Sequence, residues 1–451
     1  MMGKQIYLKN GFVISMNPSR DVYESGDILI EDDKLLSVGQ VDQGAVLPDA
    51  EVVDLKGQIV MPGIINSHVH LSQQLGRGLG DDVNLLTWLH ERIWPYESNL
   101  TEADSYISSL ACMVEQIRCG VTSIAEPGGQ HVSGMAKAAA ECGIRAALAQ
   151  SAMDCGEGLP DKWQLSTQEM LDIQEENIKQ FHNSNDGKIR VWVGLRTMFN
   201  NSSELVCGSK ELADKYGVGI HMHVAEIPDE NLFVKEKYGT TTVEHLNNLG
   251  VLDEKFLAVH TVWLTDREID LFALHNVKVS HNPAAAMRVL GFAEVPKMLQ
   301  KGICVSIGTD GAPSNNRMDI WDEMYLASLL QKGRFLNPEL MPAEKILEMV
   351  TINGARTLLQ EDEVGSLEPG KQADLCILDL DHIGSIPCHD PIANLVYANH
   401  SRNVTGTMCA GSWLLKHGKV MVVDEAELIQ TAKARAADVV KRAGIHLPAR
   451  F

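Results

Sequence analysis

The sequence predicts an α/β protein, a (β/α)8 TIM barrel joined to a small β-sandwich domain built from both termini. Between residues 59 and 360, eight short apolar runs alternate with helix-like stretches, as in a parallel sheet with crossover helices. Residues 4–58 instead alternate apolar and polar in short runs broken by turn residues, and the same texture returns near the carboxyl end; this is the pattern of antiparallel strands and hairpins. Several of the eight apolar runs end in His, Glu or Asp, and the carboxyl ends of barrel strands are where such folds place their active sites.

Taken in order, residues 5–11 and 26–33 read as strands of the small domain. The first barrel run is Ile59-Val-Met-Pro-Gly-Ile-Ile-Asn-Ser-His-Val-His70. Alternation along a strand points His68 and His70 to one side, a metal-site geometry. Alone the pair is weak evidence, because a strand histidine is commonly structural. A helix then starts at Thr101, with Asp104 placed to complete a capping box, carries Ile107, Leu110, Val114 and Ile117 on one stripe, and stops at Gly120. Strands follow at 120–125, 144–149 and 189–194; the fifth ends in His223 and Glu226, the sixth at His260, the seventh covers 277–280, and the eighth ends at Asp310. Residues 373–380 and 407–418 return to the small domain, and 424–444, rich in Ala, Lys, Arg and Val, reads as a surface helix. The expected division is therefore a composite β-sandwich domain at 1–58 and 361–423, a catalytic barrel at 59–360, and a C-terminal helix and tail at 424–451.

His68, His70, His223 and Asp310 offer three neutral nitrogens and a carboxylate to a divalent cation, a set that suits zinc, with iron as the alternative. Such a cation would lower the pKa of a water towards neutrality. Asp310 is expected to touch the ion and take the water's proton, and His260 to orient the water. Glu226, three residues beyond His223, is expected to carry a proton to a substrate ring nitrogen or leaving group. His281 ends the seventh strand and is assigned a substrate role, whereas His221, on the same face as His223, reads as a structural neighbour. His90, His131, His245, His275 and His417 fall in helical or loop text and read as solvated. Trp94, in Trp94-Pro-Tyr-Glu97, follows the first strand's loop and is a candidate substrate wall.

Composition narrows the class. The 451 residues carry 39 basic and 60 acidic side chains, a formal charge of -21, and such a field repels phosphate backbones, so no nucleic-acid partner is expected. No stretch of eighteen or more apolar residues and no leader is visible, so no membrane association is expected and the cytoplasm is the default. The nine cysteines are scattered, odd in number and without a C-x-x-C pair, and read as reduced thiols. Neither G-x-G-x-x-G nor G-x-x-x-x-G-K-[ST] occurs, so nothing supports hydride or phosphate chemistry.

The segments Met61-Pro-Gly-Ile-Ile-Asn-Ser-His-Val-His70, His223-Val-Ala-Glu226, Val259-His260, Ser280-His-Asn-Pro283, Gly308-Thr-Asp-Gly-Ala-Pro-Ser-Asn315 and Gly365-Ser-Leu-Glu-Pro-Gly-Lys-Gln-Ala-Asp374 closely resemble the amidohydrolase superfamily, in its branch of mononuclear-metal deaminases. The resemblance implies His68, His70, His223 and Asp310 as metal ligands, Glu226 as proton shuttle and His260 as the residue assisting water. No lysine occurs between Ile189 and Met198, where binuclear relatives place a carboxylated bridge, so one metal ion per chain is expected. The text is most similar to deaminases of methylthioadenosine, S-adenosylhomocysteine and 5'-deoxyadenosine. Glu97 matches the glutamate that such enzymes use for ribose hydroxyls, and a homo-oligomer is common among them. Two segments depart from the pattern. Leu195-Arg-Thr-Met-Phe-Asn200 replaces a Pro-His-Ser-Pro-like segment that contributes a substrate histidine, and Ala284-Ala-Ala-Met-Arg288 replaces Ala-Ser-Asn. Arg196 and Arg288 thereby become candidates for gripping an oxygen-bearing part of the substrate.

The expected function is thus metal-dependent hydrolytic deamination of an amino-substituted N-heterocycle, a 5'-modified adenosine first, with release of ammonia. An 8-oxoguanine or pterin deaminase, or a triazine hydrolase displacing chloride or an amine, is the alternative. A non-catalytic barrel scaffold is disfavoured because such proteins lose ligands and every ligand is present here.

Overall fold

The computed structural model describes residues 3–447, so the first two residues and the last four of the expected tail, 448–451, lie outside the described residues. Its eight-stranded sheet is parallel throughout and follows chain order: β1 (Ile64–Asn66), β2 (Val121–Ala125), β3 (Arg145–Ala149), β4 (Ile189–Leu195), β5 (Ile220–Val224), β6 (Phe256–His260), β7 (Lys278–His281) and β8 (Val305–Ile307). Every residue of these strands except Arg190 is buried, which is why they read as continuous apolar runs. The first and last strands meet through Ser67, whose amide donates to the Ile307 carbonyl at 3.1 Å, and through the Asp310 amide, which donates to the His68 carbonyl at 3.0 Å. The seam that closes the barrel therefore brings His68 and Asp310 side by side.

The run at 59–70 is not one strand. Ile59–Pro62 pairs parallel with Gln5–Ile14 and antiparallel with Leu375–Leu378, in a separate nine-stranded mixed sheet assembled from both ends of the chain. The chain crosses to the barrel at Gly63, whose amide donates to the Asp374 carbonyl. A Cβ at Gly63 would lie 2.2 Å from Thr122 Oγ1, so only glycine allows this close crossing. Because Ile59–Pro62 belongs to the terminal sheet, we propose that the sheet domain extends to Pro62, beyond the boundary expected at 58. Its own core gathers Ile6, Ile28, Val60, Leu375 and Met408.

A buried ion pair links the two units. Arg145, at the start of β3, donates from Nε to Asp374 Oδ2 at 2.9 Å and from Nη2 to Gln372 Oε1 at 2.8 Å. Arg145→Met is expected to leave the Asp374 carboxylate buried without its counter-charge, lowering unfolding free energy by about 3 kcal/mol; a shift of the urea midpoint at constant slope checks it.

Two helices frame the first barrel loop. α1 (Trp94–Ser98) leads into α2 (Glu102–Arg118), which begins with the expected Thr101–Asp104 capping box. The carboxyl-terminal helix, α3 (Glu425–Arg442), does more than cover surface. Its Val439 is fully buried against Leu75, Leu79, Tyr96 and Leu100, and Arg435 and Arg442 both pair with the buried carboxylate of Asp104. Arg442 Nη2 also donates to the Asn99 carbonyl at 3.0 Å, at the end of α1.

Candidate active site

At the carboxyl face of the barrel, β1 and β8 give way to loops that carry His68, His70 and Asp310, while His223 and His260 lie within β5 and β6. The backbone at His260 (φ 66°) and Asp310 (φ 62°) is left-handed, an uncommon conformation for residues with a Cβ and one concentrated at functional sites. His68 Nε2 and His70 Nε2 lie 3.3 and 3.4 Å from Asp310 Oδ1, and His223 Nε2 lies 3.4 Å from His70 Nε2. Candidate ligand atoms of His68, His70 and Asp310 fall within 4.8 Å of one another, as do those of His68, His223 and His260.

Two of the far ring nitrogens are hydrogen-bonded. His68 Nδ1 pairs with His221 Nε2 at 3.1 Å, and His223 Nδ1 donates to the Arg196 carbonyl at 3.0 Å. His70 Nδ1 faces Glu126 Oε1 at 3.7 Å, and that carboxylate is itself fixed by the Leu71 and Gly128 amides. Such outer contacts fix imidazole orientation at metal centres. Burial drives His68 down to about 4, against the pull of Asp310, and drives His70 and His223 well below the usual histidine range. All three are thus neutral and able to ligate at pH 7. Burial alone would raise Asp310, but its closeness to His68 and the neighbouring imidazoles outweighs burial and holds the carboxyl below the usual carboxylate range. His68 Nε2 is buried with no hydrogen-bond partner among the described residues. A convergent set of three neutral nitrogens and one carboxylate with an orphaned nitrogen fits a divalent cation.

Glu226 stands beside this group, its Oε2 3.7 Å from His260 Nε2. Burial raises its carboxyl pKa against the opposing charges of His260 and Arg196. On the other side of His260, the Asn282 amide is oriented so that its oxygen accepts from His260 Nδ1 at 3.2 Å and its nitrogen donates to the Gly308 carbonyl at 3.2 Å. A cavity of about 490 Å³ opens above these residues and is lined by His70, His223, Glu226, His260 and Asp310 together with side chains of the barrel loops.

The remaining sequence candidates fall in different places. Trp94 and Arg196 line the cavity. Glu97 is buried and not part of the lining, accepting from Gln73 Nε2 at 2.8 Å. His281 is buried away from the lining, with neither ring nitrogen hydrogen-bonded among the described residues, and burial pushes it down to about 3. The Arg288 guanidinium is turned outwards to Asp81 Oδ1, at 2.5 Å, and to the Ser314 carbonyl, at 3.0 Å. His90 is exposed as expected, beside Trp94 at the cavity mouth, whereas His245, read as solvated, is buried in a stack on Tyr238 with centroids 3.9 Å apart. Sequence reasoning missed Glu126 and Gln73, which carry no local motif, and gave no role to Asn282 although it stands in the Ser280-His-Asn-Pro283 segment. It also missed the apolar wall of Leu85, Leu86 and Leu89, which its spacing on one short helical segment could have flagged.

A parallel eight-stranded barrel with histidine and aspartate donors converging at its carboxyl face defines a class of α/β barrels with a candidate metal centre. Within that class the chain belongs to the amidohydrolase family, which matches residues 59–414. It is 35% identical, over 98% of its own length and 100% of the relative's, to a 5'-deoxyadenosine deaminase of Methanobrevibacter smithii. It is 33% identical, over 96% and 99%, to a 5-methylthioadenosine/S-adenosylhomocysteine deaminase of Desulfitobacterium hafniense. Among solved structures, an adenosine deaminase from Xanthomonas campestris with bound zinc superposes with a TM-score of 0.92 at 27% identity, covering 97% of this chain and 99% of that one. No helix among the described residues is long and apolar enough to cross a membrane.

Proposed function

We propose that the protein is a metal-dependent aminohydrolase that converts a 5'-modified adenosine and water to the corresponding inosine and ammonia. The observation that carries this reading is the convergence of His68, His70, His223 and Asp310 beside the buried carboxyl of Glu226, under a cavity of nucleoside size. Full-length similarity to deaminases of 5'-modified adenosines supports the choice of substrate.

In this reading His68, His70, His223 and Asp310 hold one divalent ion, zinc by the preference of that donor set, with iron as the alternative. When bound, the ion supplies the Lewis acidity that makes water nucleophilic at neutral pH. His260, fixed through Asn282, holds the water by a hydrogen bond, and Asp310 receives its proton. Glu226 gives a proton to the ring nitrogen next to the amine-bearing carbon, which makes that carbon electrophilic; the proton that Asp310 took from water then goes to the departing amine, and Glu226 recovers a proton from the added hydroxyl as the ring carbonyl forms, so both carboxyls return to their starting states. A carboxyl whose pKa is raised by burial suits that donor role. Glu97 accepts from the ribose hydroxyls once Gln73 shares it, and Trp94 walls the site. The enzyme acts on a small molecule in the cytoplasm.

An ammonia-release screen of metal-loaded protein over 5'-deoxyadenosine, methylthioadenosine, adenine, 8-oxoguanine, pterin and aminotriazines tests the assignment. The nucleosides are expected to be the best substrates. Glu97→Ala is expected to cut kcat/KM for 5'-deoxyadenosine by about 10–100-fold, the value of a hydrogen bond to a charged group, and to leave free adenine unaffected. Turnover confined to oxo-purines, pterins or triazines would replace the adenosine reading with one of those.

A further inference from the structure

Glu323 lies on the helix Ile320–Phe335 and is fully buried. Its two carboxyl oxygens accept from different loops: Oε2 from the Ala284 amide at 3.0 Å, after β7, and Oε1 from Asn315 Nδ2 at 2.7 Å, after β8. The other hydrogen on Asn315 Nδ2 goes to the Thr309 carbonyl at 2.8 Å. That carbonyl belongs to the peptide plane joining Thr309 to Asp310, whose N–H donates to the His68 carbonyl at 3.0 Å. A peptide unit is planar, so bonds at both ends fix how it is turned, and with it the left-handed backbone of Asp310. Such a conformation persists only where its surroundings hold it. Asp310 Oδ1, the oxygen that faces His68 and His70, is in turn held by the Gly311 amide at 2.8 Å. On the β7 side, Pro283 alone separates Ala284 from Asn282, and its ring restricts the link between them. Asn282 is the residue whose oxygen accepts from His260 Nδ1.

We propose that Glu323 is a positioning residue for the water-handling pair: by clasping the β7 loop to the β8 loop, it aims Asp310 at the ligand histidines and, through Asn282, holds His260 in place. The inference rests on the metal-centre reading above and extends it to a residue that touches neither ion nor substrate. Both ends of this fork face N–H donors, so the side chain must offer an acceptor on each side. A carboxylate does so; a glutamine of the same shape turns a donor NH2 against one of them. The loss would then fall on Asp310 or on His260, according to which end the amide nitrogen takes.

Glu323→Ala, Asn315→Ala and the two combined test this, with three readouts: zinc affinity by competition with a chromophoric chelator, the visible spectrum of the cobalt(II)-loaded protein, and kcat and KM for 5'-deoxyadenosine at full zinc loading. Glu323→Ala is expected to bind zinc about 10–100-fold more weakly, to change the cobalt spectrum, and to lose about 10–100-fold in kcat, the range for groups that orient a metal ligand, while KM stays within about twofold. Asn315→Ala is expected to match its loss of zinc affinity. The combined variant is expected to lose no more zinc affinity than the weaker-binding single variant, because both residues act along one path. Wild-type zinc affinity with an unchanged cobalt spectrum in Glu323→Ala, or additive losses in the combined variant, overturns the proposal. If circular dichroism shows that Glu323→Ala folds poorly, Asn315→Ala carries the test, since it leaves Glu323 bonded to Ala284; wild-type zinc affinity there overturns the proposal. A wild type that binds zinc but releases no ammonia from 5'-deoxyadenosine overturns the aminohydrolase reading instead, and the zinc and cobalt readouts still decide the role of Glu323.

Discussion

His223→Ala purified with added zinc is expected to hold little metal and to show no measurable ammonia release, whereas the wild type holds about one ion per chain. The ring contributes one of four donors, and its Nδ1 is already committed to the Arg196 carbonyl, so its removal leaves the ion three of its four ligands. His68→Ala is expected to behave alike, because His68 Nε2 has no partner among the described residues other than the donors it faces. Elemental analysis together with a chelation and add-back series decides the matter. Two ions per chain, or full turnover after complete chelation, would rule out the single-ion centre. Metal loss with retained fold, read by circular dichroism, separates a ligand role from a packing role.

Glu226→Gln is expected to keep the metal and the substrate affinity while turnover falls by about 10²–10⁴-fold, the range for general acid–base steps. The amide matches the carboxyl in shape, so the contact with His260 survives, but it has no proton to give the ring nitrogen. A pre-protonated or more electrophilic heterocycle should recover part of the loss, because it needs less help from an acid. A variant that kept more than about a tenth of wild-type turnover would remove Glu226 from the proton path.

Much of the barrel was legible because burial on both faces makes each strand an uninterrupted apolar run, and because the polar residue after each run stands out against it. His223, His260 and Asp310 are visible for that reason. The strand at 59–62 was not separable from β1, since both are apolar and only Gly63 divides them; what splits them is the pairing of Ile59–Pro62 with residues more than three hundred positions later. Glu126 was invisible for a different reason: it works by facing His70, more than fifty residues earlier, and has no local signature. Asn282 stood in a quoted segment, but its contact with His260 is set only by the fold. Arg288 was chosen for its donors, but the structure gives those donors to Asp81, 207 residues earlier. Arg196 was chosen on the same grounds, and its guanidinium is the one that faces the cavity. Composition could not tell them apart, because the difference lies in which acceptors the folded loops bring near.

The terminal sheet has a consequence for the order in which the protein is made. Strand Gln5–Ile14 and its neighbour Ile59–Pro62 are made long before Leu375–Leu378, which covers the far edge of Ile59–Pro62 and is synthesised about 315 residues after it. At roughly 5–20 residues per second that is a wait of roughly 15–60 s. Throughout it, Ile59–Pro62 presents an unpaired apolar edge, the kind of template on which chains mispair. The helix that braces the first barrel loop, Glu425–Arg442, emerges later still. The edge of Ile59–Pro62 is therefore completed only once residues 375–378 have been released.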